Sequence, residues 1–236
     1  MSPLKFTSEI LEIKQLSNSV KHLKISIPKD FNFIPGQYIS MILEKENEKI
    51  RRPYSLASIP EKANEGYAEL CIKILENGLA SPIIDKFKAN DKINFLGPLG
   101  FFKISDESKN KNLIFISHGV GIAPFRSMIP YILEYGHQAK VTLLTGYKEE
   151  ERILYNDEFK ELEKKYKNFK YYSILSEPIN NTENNEIGRV QQLVKNNINK
   201  EAHYYLCGLK EMVDSVRAIL VNNDIEMKNI FSEKYD

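Results

Sequence analysis

The chain has 236 residues, which is long for one average domain and sufficient for two small ones. Its 33 Lys and Arg residues balance 32 Asp and Glu residues, which removes the broad electrostatic argument for binding nucleic acid or an anionic membrane. Two cysteines, Cys71 and Cys207, are too few for a four-cysteine iron–sulfur or zinc site. No apolar run approaches the ~20 residues that span a bilayer. We therefore expect a cytoplasmic protein that neither carries a metal nor inserts into a membrane.

The first half of the chain has the pattern of short strands separated by turn residues. Apolar residues alternate with Ser or Lys in several segments, and Pro35-Gly36 and Asn77-Gly78 mark turns between them. This pattern predicts an antiparallel barrel or sandwich. The predicted strands are Phe6–Gln15, Val20–Ile27, Gln37–Leu43, Ala68–Leu75 and Lys92–Leu96.

In the second half, predicted strands alternate with predicted helices. The first strand is a continuous apolar run, which is typical of a strand that is covered on both faces. The alternation predicts a parallel sheet with helices on both faces and a ligand beyond the C-terminal ends of its strands. The strands are Leu113–Ile116, Lys140–Thr145, Lys170–Leu175 and His203–Cys207, and the helices are Pro124–Tyr135, Tyr155–Lys167, Gly188–Asn199 and Lys210–Asn222.

A glycine-rich turn joins the first of these strands to the first helix. Gly119 and Gly121 allow a tight turn and a close approach to a ligand, and Pro124 suits a first helical position. Exposed amides at such a helix start favour a phosphate. The three-glycine dinucleotide motif would require Gly at position 124, so this segment alone is equally compatible with an ordinary strand-to-helix turn.

Six segments, in the same order and with the same spacing, resemble motifs of the ferredoxin-NADP reductase-like flavoproteins. The segments are Arg52-Pro53-Tyr54-Ser55, Gly78-Leu79-Ala80-Ser81, Gly97-Pro98-Leu99-Gly100-Phe101-Phe102, Gly119–Pro124 with Val120 in place of Thr, Cys207-Gly208 followed by Met212, and Glu233-Lys234-Tyr235. The resemblance implies an antiparallel FAD-binding β-barrel over residues 1–104. It also implies an α/β domain with a parallel sheet that binds a nicotinamide dinucleotide over residues 111–236.

The resemblance implies roles for the residues of the first domain. Tyr54 would stack on the flavin ring, Ser55 would donate a hydrogen bond at flavin N5, and Arg52 would bind the pyrophosphate, a role for which Arg51 competes. Ser81 would contact phosphate, although it also suits the N-cap of a predicted helix over Pro82–Lys88, whose positive end would face the same phosphate. The other implied flavin contacts are Pro53, the backbone of Ile72, Lys73 and Ile74, and the loop residues Gly78 and Leu79.

In the second domain, the resemblance implies that the nicotinamide lies near Cys207 and passes close to Gly208. Ser55, Cys207 and Glu233 are the implied catalytic residues. Tyr235 would cover the flavin face, but Asp236 follows it, whereas the aromatic residue often ends the chain in the family; a frayed tail is the alternative. The implied dinucleotide-binding loop is Gly119, Val120, Gly121, Ile122, Ala123 and Pro124.

The end of the third strand of this domain bears on the choice of coenzyme. Family members that prefer NADPH tend to carry Ser-Arg here, whereas this chain has Ser176-Glu177. A carboxylate repels a 2′-phosphate and accepts hydrogen bonds from a ribose diol. We therefore expect NADH to be preferred. Lys148 argues for NADPH, because its side chain could reach a 2′-phosphate.

The resemblance implies an oxidoreductase that passes a hydride from NADH or NADPH to FAD. Electrons would then go to a separate carrier protein, such as a ferredoxin, a flavodoxin or an oxygenase component. A flavin reductase that uses free flavin as its substrate is the alternative. A third possibility is a non-catalytic flavin-binding regulatory module.

Overall fold

The computed structural model describes residues 3–46, 48–179 and 187–235. The chain forms two compact units. The first unit takes the chain up to Lys103 together with Ala123–Tyr131, and the second takes Ile104–Ile122 and the chain from Ile132 onward. Within the described ranges, no helix is both long and apolar enough to cross a membrane.

The first unit is built on one six-stranded antiparallel sheet with the order β4-β3-β6-β1-β2-β5. The sheet curls, because the segment after β4 meets the other edge strand through a bridge between Leu56 and Leu70 and a hydrogen bond from Ala57 N–H to the Glu69 carbonyl oxygen. The strands are β1 Leu4–Ser17, β2 Val20–Ser26, β3 Tyr38–Lys45, β4 Glu48–Ser55, β5 Tyr67–Lys73 and β6 Lys92–Leu99, and two single-turn helices are α1 Glu61–Asn64 and α2 Ser81–Ile84.

Alternate side chains of these strands fill the interior of the curled sheet. Leu23 and Ile25 of β2 are fully buried, as are Ile39 and Met41 of β3. Residues two apart lie on one face of a strand, so the alternation seen in the sequence places these side chains in one core. Three phenylalanines complete that core: the ring of Phe6 contacts the rings of Phe31 and Phe95.

The second unit is built on a parallel sheet with the order β11-β10-β7-β8-β9. The strands are β7 Leu113–His118, β8 Val141–Tyr147, β9 Phe169–Leu175, β10 His203–Leu209 and β11 Ile230–Tyr235. The helices of this half of the chain are α3 Ala123–Glu134, whose residues up to Tyr131 belong to the first unit, α4 Asn156–Lys165, α5 Val190–Asn196 and α6 Lys210–Asn222.

Helices cover both faces of the parallel sheet. Ile174 of β9 belongs to a buried cluster that contains the apolar side chains of α5 and α6. Phe159 of α4 instead contacts Phe169 and Tyr171, which lie on the opposite face of the same strand. The predicted fold class is therefore confirmed for both halves of the chain: an antiparallel β-structure first and a parallel α/β structure second.

Several predicted elements differ from the structure. Two edge strands, β4 and β11, were absent from the predicted set, and the frayed-tail alternative for Glu233 and Tyr235 is wrong because both lie in β11. The helix predicted over Pro82–Lys88 is present but shorter: α2 has four residues, begins at Ser81 and ends at Ile84. Its N-cap is Ala80, so Ser81 is not the cap, and a single turn has little dipole to offer a phosphate.

Candidate functional site

One face of the edge strand β4 presents the first group of predicted site residues. Arg52 and Tyr54 are two residues apart, so they share a face, and Tyr54 packs partly buried against the core of the first unit. Arg51 and Pro53 point to the other side and are exposed. Arg52 is therefore the arginine that lies beside Tyr54. A proline is tolerated in β4 because an edge strand leaves alternate N–H groups without a sheet partner.

Tyr54 is held as a neutral phenol. Burial raises its pKa to about 12, and the positive charge of Arg52 only partly opposes that rise. Ser55 ends the strand and is 6% exposed, so its hydroxyl is sheltered from bulk water. Tyr54 therefore offers an aromatic surface and Ser55 offers a hydroxyl, and neither group changes its protonation state between about pH 5 and pH 9.

The end of β5 and the residue directly after it, Ile74, were predicted to contact a flavin through their backbone. The Ile72 side chain is fully buried in the core, so only its backbone is available to a ligand. Lys73 is exposed, and Ile74 N–H donates to the Ser19 carbonyl oxygen at 2.7 Å. Because β5 is an edge strand, alternate backbone groups beyond Leu70 face away from β2.

The loop before α2 is closed by its own hydrogen bonds. Gly78 N–H donates to the Leu75 carbonyl oxygen at 3.0 Å, and Leu75 N–H donates to Ser81 Oγ at 2.9 Å. A Cβ on Gly78 would lie 2.9 Å from Ser81 Oγ, so this tight loop requires glycine. Ser81 is buried, whereas Leu79 projects outward and is 57% exposed.

A surface cavity of about 430 Å³ lies beside this loop. Apolar side chains form most of its lining, while two lysines add positive charge and one aspartate adds negative charge. Leu79 is the residue of this lining that was predicted from a motif; four others lie in or directly after α2, and Lys45 and Asp91 come from other parts of the first unit. The lining residues are Lys45, Leu79, Pro82, Ile83, Lys86, Phe87 and Asp91.

In the second unit, the glycine-rich turn lies at the point where the strand order reverses. The strand β7 has β10 on one side and β8 on the other, and ligands of open α/β sheets bind at such a point. A Cβ on Gly121 would lie 2.2 Å from the Cys207 carbonyl oxygen, and a Cβ on Gly208 would lie 3.3 Å from the His118 carbonyl oxygen. The two backbones therefore approach each other as closely as glycine allows.

Gly119 differs from Gly121 in what surrounds it. Its φ is +55°, and a Cβ built on it would meet no atom within 4 Å. The space in front of this residue is open, whereas Ile122, Ala123 and Pro124 that follow are buried. The turn therefore offers a ligand a left-handed glycine backbone on a fixed support, which fits the phosphates of a dinucleotide.

The predicted catalytic residues Cys207 and Glu233 lie opposite each other in the register of β10 and β11. Cys207 is fully buried, and burial raises its pKa well above the ordinary value, with a smaller contribution from the charge of Glu233. A hydrogen bond with Tyr235 acts in the opposite direction. The thiol is therefore neutral and shielded, which excludes a role as a nucleophile.

Polar side chains cross the parallel sheet in one row near the ends of its strands. Ser117 of β7 is in register with Cys207 on one side and with Thr145 on the other, and Thr145 is in register with Ser173. The Oγ atoms of Ser117 and Ser173 are buried without a hydrogen-bond partner among the described residues. The interior of the sheet thus becomes polar where a ligand is expected.

The residues that were predicted to bear on coenzyme choice follow the ends of β8 and β9. Lys148 Nζ and Glu177 Oε2 are 3.0 Å apart, and Arg152 Nε lies 3.2 Å from Glu149 Oε2. Each of these two cations therefore has a carboxylate partner. In the described part of the chain, no group of three or more His, Cys, Asp or Glu residues is arranged to hold a metal ion.

Comparisons with known proteins agree with both halves of this arrangement. Residues 7–104 match the oxidoreductase FAD-binding domain, and residues 115–218 match the oxidoreductase NAD-binding domain. The chain is 31% identical over 231 residues to the reductase component DmpP of phenol 2-monooxygenase from Pseudomonas sp. (strain CF600), covering 93% of this chain but only 62% of that relative. It is 27% identical over 242 residues to ferredoxin–NADP reductase B of Sorangium cellulosum (strain So ce56), covering 98% of each.

A solved structure supports the same grouping at the level of the fold. The ferredoxin NADP⁺ reductase of Neisseria gonorrhoeae, with bound FAD and NADP, has a TM-score of 0.85 and 22% identity, and 98% of each chain is covered. The two family matches together span most of the sequence and follow the order that the six motifs predict. The chain belongs to the ferredoxin-NADP reductase-like family of FAD- and NAD(P)-binding oxidoreductases.

Proposed function

We propose that this protein oxidises NADH with FAD as its bound cofactor and delivers the electrons to a separate carrier protein. The observation that carries the proposal is the pairing, in one chain, of the Arg52–Tyr54 face of β4 with the Gly119–Gly121 turn beside Cys207. Relatives named as a phenol 2-monooxygenase reductase component and as a ferredoxin–NADP reductase support this type of electron transfer.

The residues present in the first unit fit FAD. Tyr54 offers its ring to the flavin, Ser55 offers a sheltered hydroxyl, and Arg52 offers a planar set of donors that suits a pyrophosphate. Ser81 would make the second phosphate contact: its Oγ accepts from Leu75 N–H, and its hydroxyl hydrogen remains to be donated, while the Gly78 N–H is used within the loop. When bound, FAD accepts a hydride from reduced nicotinamide and releases electrons singly, so the protein itself needs to supply position and exclusion of water.

The cavity beside α2 fits the adenosine half of FAD. Tyr54, Arg52 and Ile50 follow one another on one face of β4, with about 6.7 Å between successive positions. This direction leads toward the turn where Lys45 ends β3, and Lys45 lines the cavity. An extended FAD that begins at Tyr54 would thus reach the cavity with its adenosine, for which Phe87 and Ile83 offer apolar contacts.

The second unit supplies the residues for the nicotinamide coenzyme. The open backbone at Gly119 would hold its pyrophosphate. Cys207 presents a neutral, fully buried thiol, and Gly208 lets a ligand pass close to the strand end. Glu233 lies beside Cys207, where a carboxylate can orient a polar group of the nicotinamide.

NADH is the proposed coenzyme because of the ion pair between Lys148 and Glu177. Lys148 is the residue that would otherwise attract a 2′-phosphate, and the carboxylate of Glu177 both neutralises it and repels a phosphate. The same carboxylate can accept hydrogen bonds from the 2′- and 3′-hydroxyls of a ribose. Arg152, the next cation along the chain, is paired with Glu149.

The test is an absorbance spectrum of the purified protein followed by anaerobic titration with NADH and with NADPH. We expect a flavin spectrum that survives desalting, bleaching by NADH at equimolar addition, and a higher kcat/KM for NADH than for NADPH. Loss of flavin on desalting, with retained NADH oxidation when free flavin is added, would instead assign a flavin reductase. A retained flavin that neither coenzyme bleaches would assign a non-catalytic module.

A further inference from the structure

The first unit contains a partly buried ion pair that no motif predicts. Arg126, at the end of the first turn of α3, donates from Nη1 to Glu69 Oε2 at 2.6 Å and to the Ala57 carbonyl oxygen at 3.0 Å. The side chains of Arg126 and Glu69 are 15% and 17% exposed. His22 of β2, which is 7% exposed, lies on the other carboxylate oxygen, with 3.5 Å between Nε2 and Oε1.

This pair lies where the curled sheet closes. Ala57 N–H donates to the Glu69 carbonyl oxygen at 2.8 Å, and Glu69 N–H donates to Ser58 Oγ at 3.1 Å. Arg126 adds a third connection, because it binds the carbonyl of Ala57 and the carboxylate of Glu69 at once. The segment that directly follows Ser55 is therefore attached to β5 by backbone, hydroxyl and guanidinium contacts.

An ion pair that is mostly withdrawn from water is an inefficient way to stabilise a fold. Desolvation of the two charges offsets most of their attraction, and apolar side chains of similar size often serve as well or better. What the pair adds is direction, since the donors of a guanidinium must meet fixed acceptors. Its effect here is to fix three things together: the segment after Ser55, the strand β5, and the start of α3 with Ala123 and Pro124.

We propose that Arg126 is a positioning residue for the cofactor site: through Ala57 and Glu69 it holds Ser55 and β5 in the arrangement that orients bound FAD. This inference rests on the proposed function, because it assigns Arg126 to the flavin site of that same reaction. The contacts that carry the proposal are those of Arg126 with the carbonyl oxygen of Ala57, two residues after Ser55, and with the carboxylate of Glu69 on β5.

The test compares Arg126→Met, Arg126→Lys and Glu69→Gln with the wild-type holoprotein. The core substitution Ile93→Val is the control. It removes one buried methyl group from β6 and lowers stability, and it leaves the side chains of Arg126, Glu69 and His22 unchanged. Three quantities are measured: the visible circular dichroism of bound FAD, the dissociation constant of FAD from the apoprotein, and kcat and KM for NADH.

We expect Arg126→Met and Glu69→Gln to change the dichroism of the flavin and to lower kcat by about 10- to 100-fold, because a displacement of about 1 Å at a reacting centre has effects of this size. KM for NADH should change less than threefold. Arg126→Lys keeps one cation near both acceptors and should recover most of kcat. If Arg126→Met does not fold, Arg126→Lys and Glu69→Gln still carry the comparison.

The inference is overturned if the variants match Ile93→Val in dichroism and kcat once melting temperatures are compared. It is also overturned if KM rises while kcat stays constant, since that result would place the effect on coenzyme binding. A wild-type protein that binds FAD but is not reduced by NADH would overturn the proposed function alone, and the dichroism and FAD affinity of the variants would still decide the role of Arg126. A wild-type protein that binds no flavin would overturn both.

Discussion

Lys148 and Glu177 form an ion pair between the segments that follow β8 and β9, with 3.0 Å between Nζ and Oε2. The backbone brings them together, because Glu177 N–H donates to the Lys148 carbonyl oxygen at 2.8 Å. Both side chains remain substantially exposed, so the pair adds little to stability. Under the proposed function, the pair joins the two residues to which we assign opposite preferences for a 2′-phosphate.

Replacing Glu177 by Gln should therefore shift coenzyme choice toward NADPH. The substitution keeps the size of the side chain, removes its charge and releases Lys148. We expect the ratio of kcat/KM for NADPH over NADH to rise at least tenfold, which corresponds to about 1.4 kcal/mol. Steady-state kinetics with both coenzymes measure the ratio.

Lys148→Met should have the opposite effect on the same ratio. Lys200→Met is the matched control, because Lys200 pairs with Asp224 and precedes β10, at the other end of the sheet. An unchanged ratio in Glu177→Gln would show that Glu177 does not discriminate between the coenzymes.

Tyr54 should contribute to FAD binding through its ring and not through its hydroxyl. Its pKa of about 12 keeps the phenol neutral, and its hydroxyl carries no charge that a flavin could use. Tyr54→Phe should bind FAD nearly as tightly as the wild type. Tyr54→Ala should raise the dissociation constant about tenfold or more, since aromatic stacking contributes about 1 kcal/mol in addition to buried area. Titration of the apoprotein with FAD measures both.

Tyr172→Ala serves as the control, because Tyr172 is a tyrosine of β9 that is 41% exposed. Its affinity for FAD should equal that of the wild type. If Tyr54→Phe binds as weakly as Tyr54→Ala, the hydroxyl and not the ring makes the contact.

Gly119 and Gly136 form a matched pair for testing the dinucleotide turn. Both have positive φ, +55° and +85°, and a Cβ on either would meet no atom within 4 Å. Alanine at each position should therefore lower the free energy of unfolding by a similar amount, about 1 kcal/mol, which urea unfolding measures. Only Gly119→Ala should raise KM for NADH, by about tenfold, because only that backbone faces the proposed coenzyme. Equal KM values for the two variants would contradict the assignment.

The elements that the sequence predicts well are those whose side chains are buried in a regular pattern. The apolar run at Leu113–Ile116 and the alternation around Leu23 and Ile25 reflect strands that have neighbours on both sides. The edge strand β4 has no such signal, since its exposed residues include charged side chains and a proline. Edge strands are commonly charged, because charge prevents pairing with another chain, and the same charge conceals them in a sequence.

The candidate site residues also fall into those that the sequence predicts and those that it does not. Tyr54, Gly119 and Cys207 were found because each lies in a motif whose members are adjacent in the chain. The cavity residues Lys45 and Lys86 and the pair of Arg126 with Glu69 come from elements far apart in the sequence. No local pattern records such a contact, because it arises only when the sheet curls and brings its edges together.

The partly buried carboxylate of Glu69 should make the stability of the first unit depend on acid. Burial alone would raise its pKa, but hydrogen bonding to His22 and the charge and hydrogen bond of Arg126 outweigh burial and lower the pKa from 4.5 to about 2. A carboxylate with a lowered folded-state pKa stabilises the fold above its unfolded-state pKa. That stabilisation is lost as the pH falls from about 4.5 toward 2.

We therefore expect the difference in unfolding free energy between the wild type and Glu69→Gln to be constant from pH 7 to pH 5. Between pH 4.5 and pH 2 the difference should shrink by an amount on the order of 3 kcal/mol, at about 1.4 kcal/mol for each unit of pKa shift. Urea unfolding at a series of pH values measures it. Glu65→Gln is the control, because Glu65 pairs with Lys62 at the surface and should leave the acid dependence nearly unchanged. A wild type and a Glu69→Gln variant that lose stability in parallel below pH 4.5 would show that Glu69 has an ordinary pKa in the folded protein.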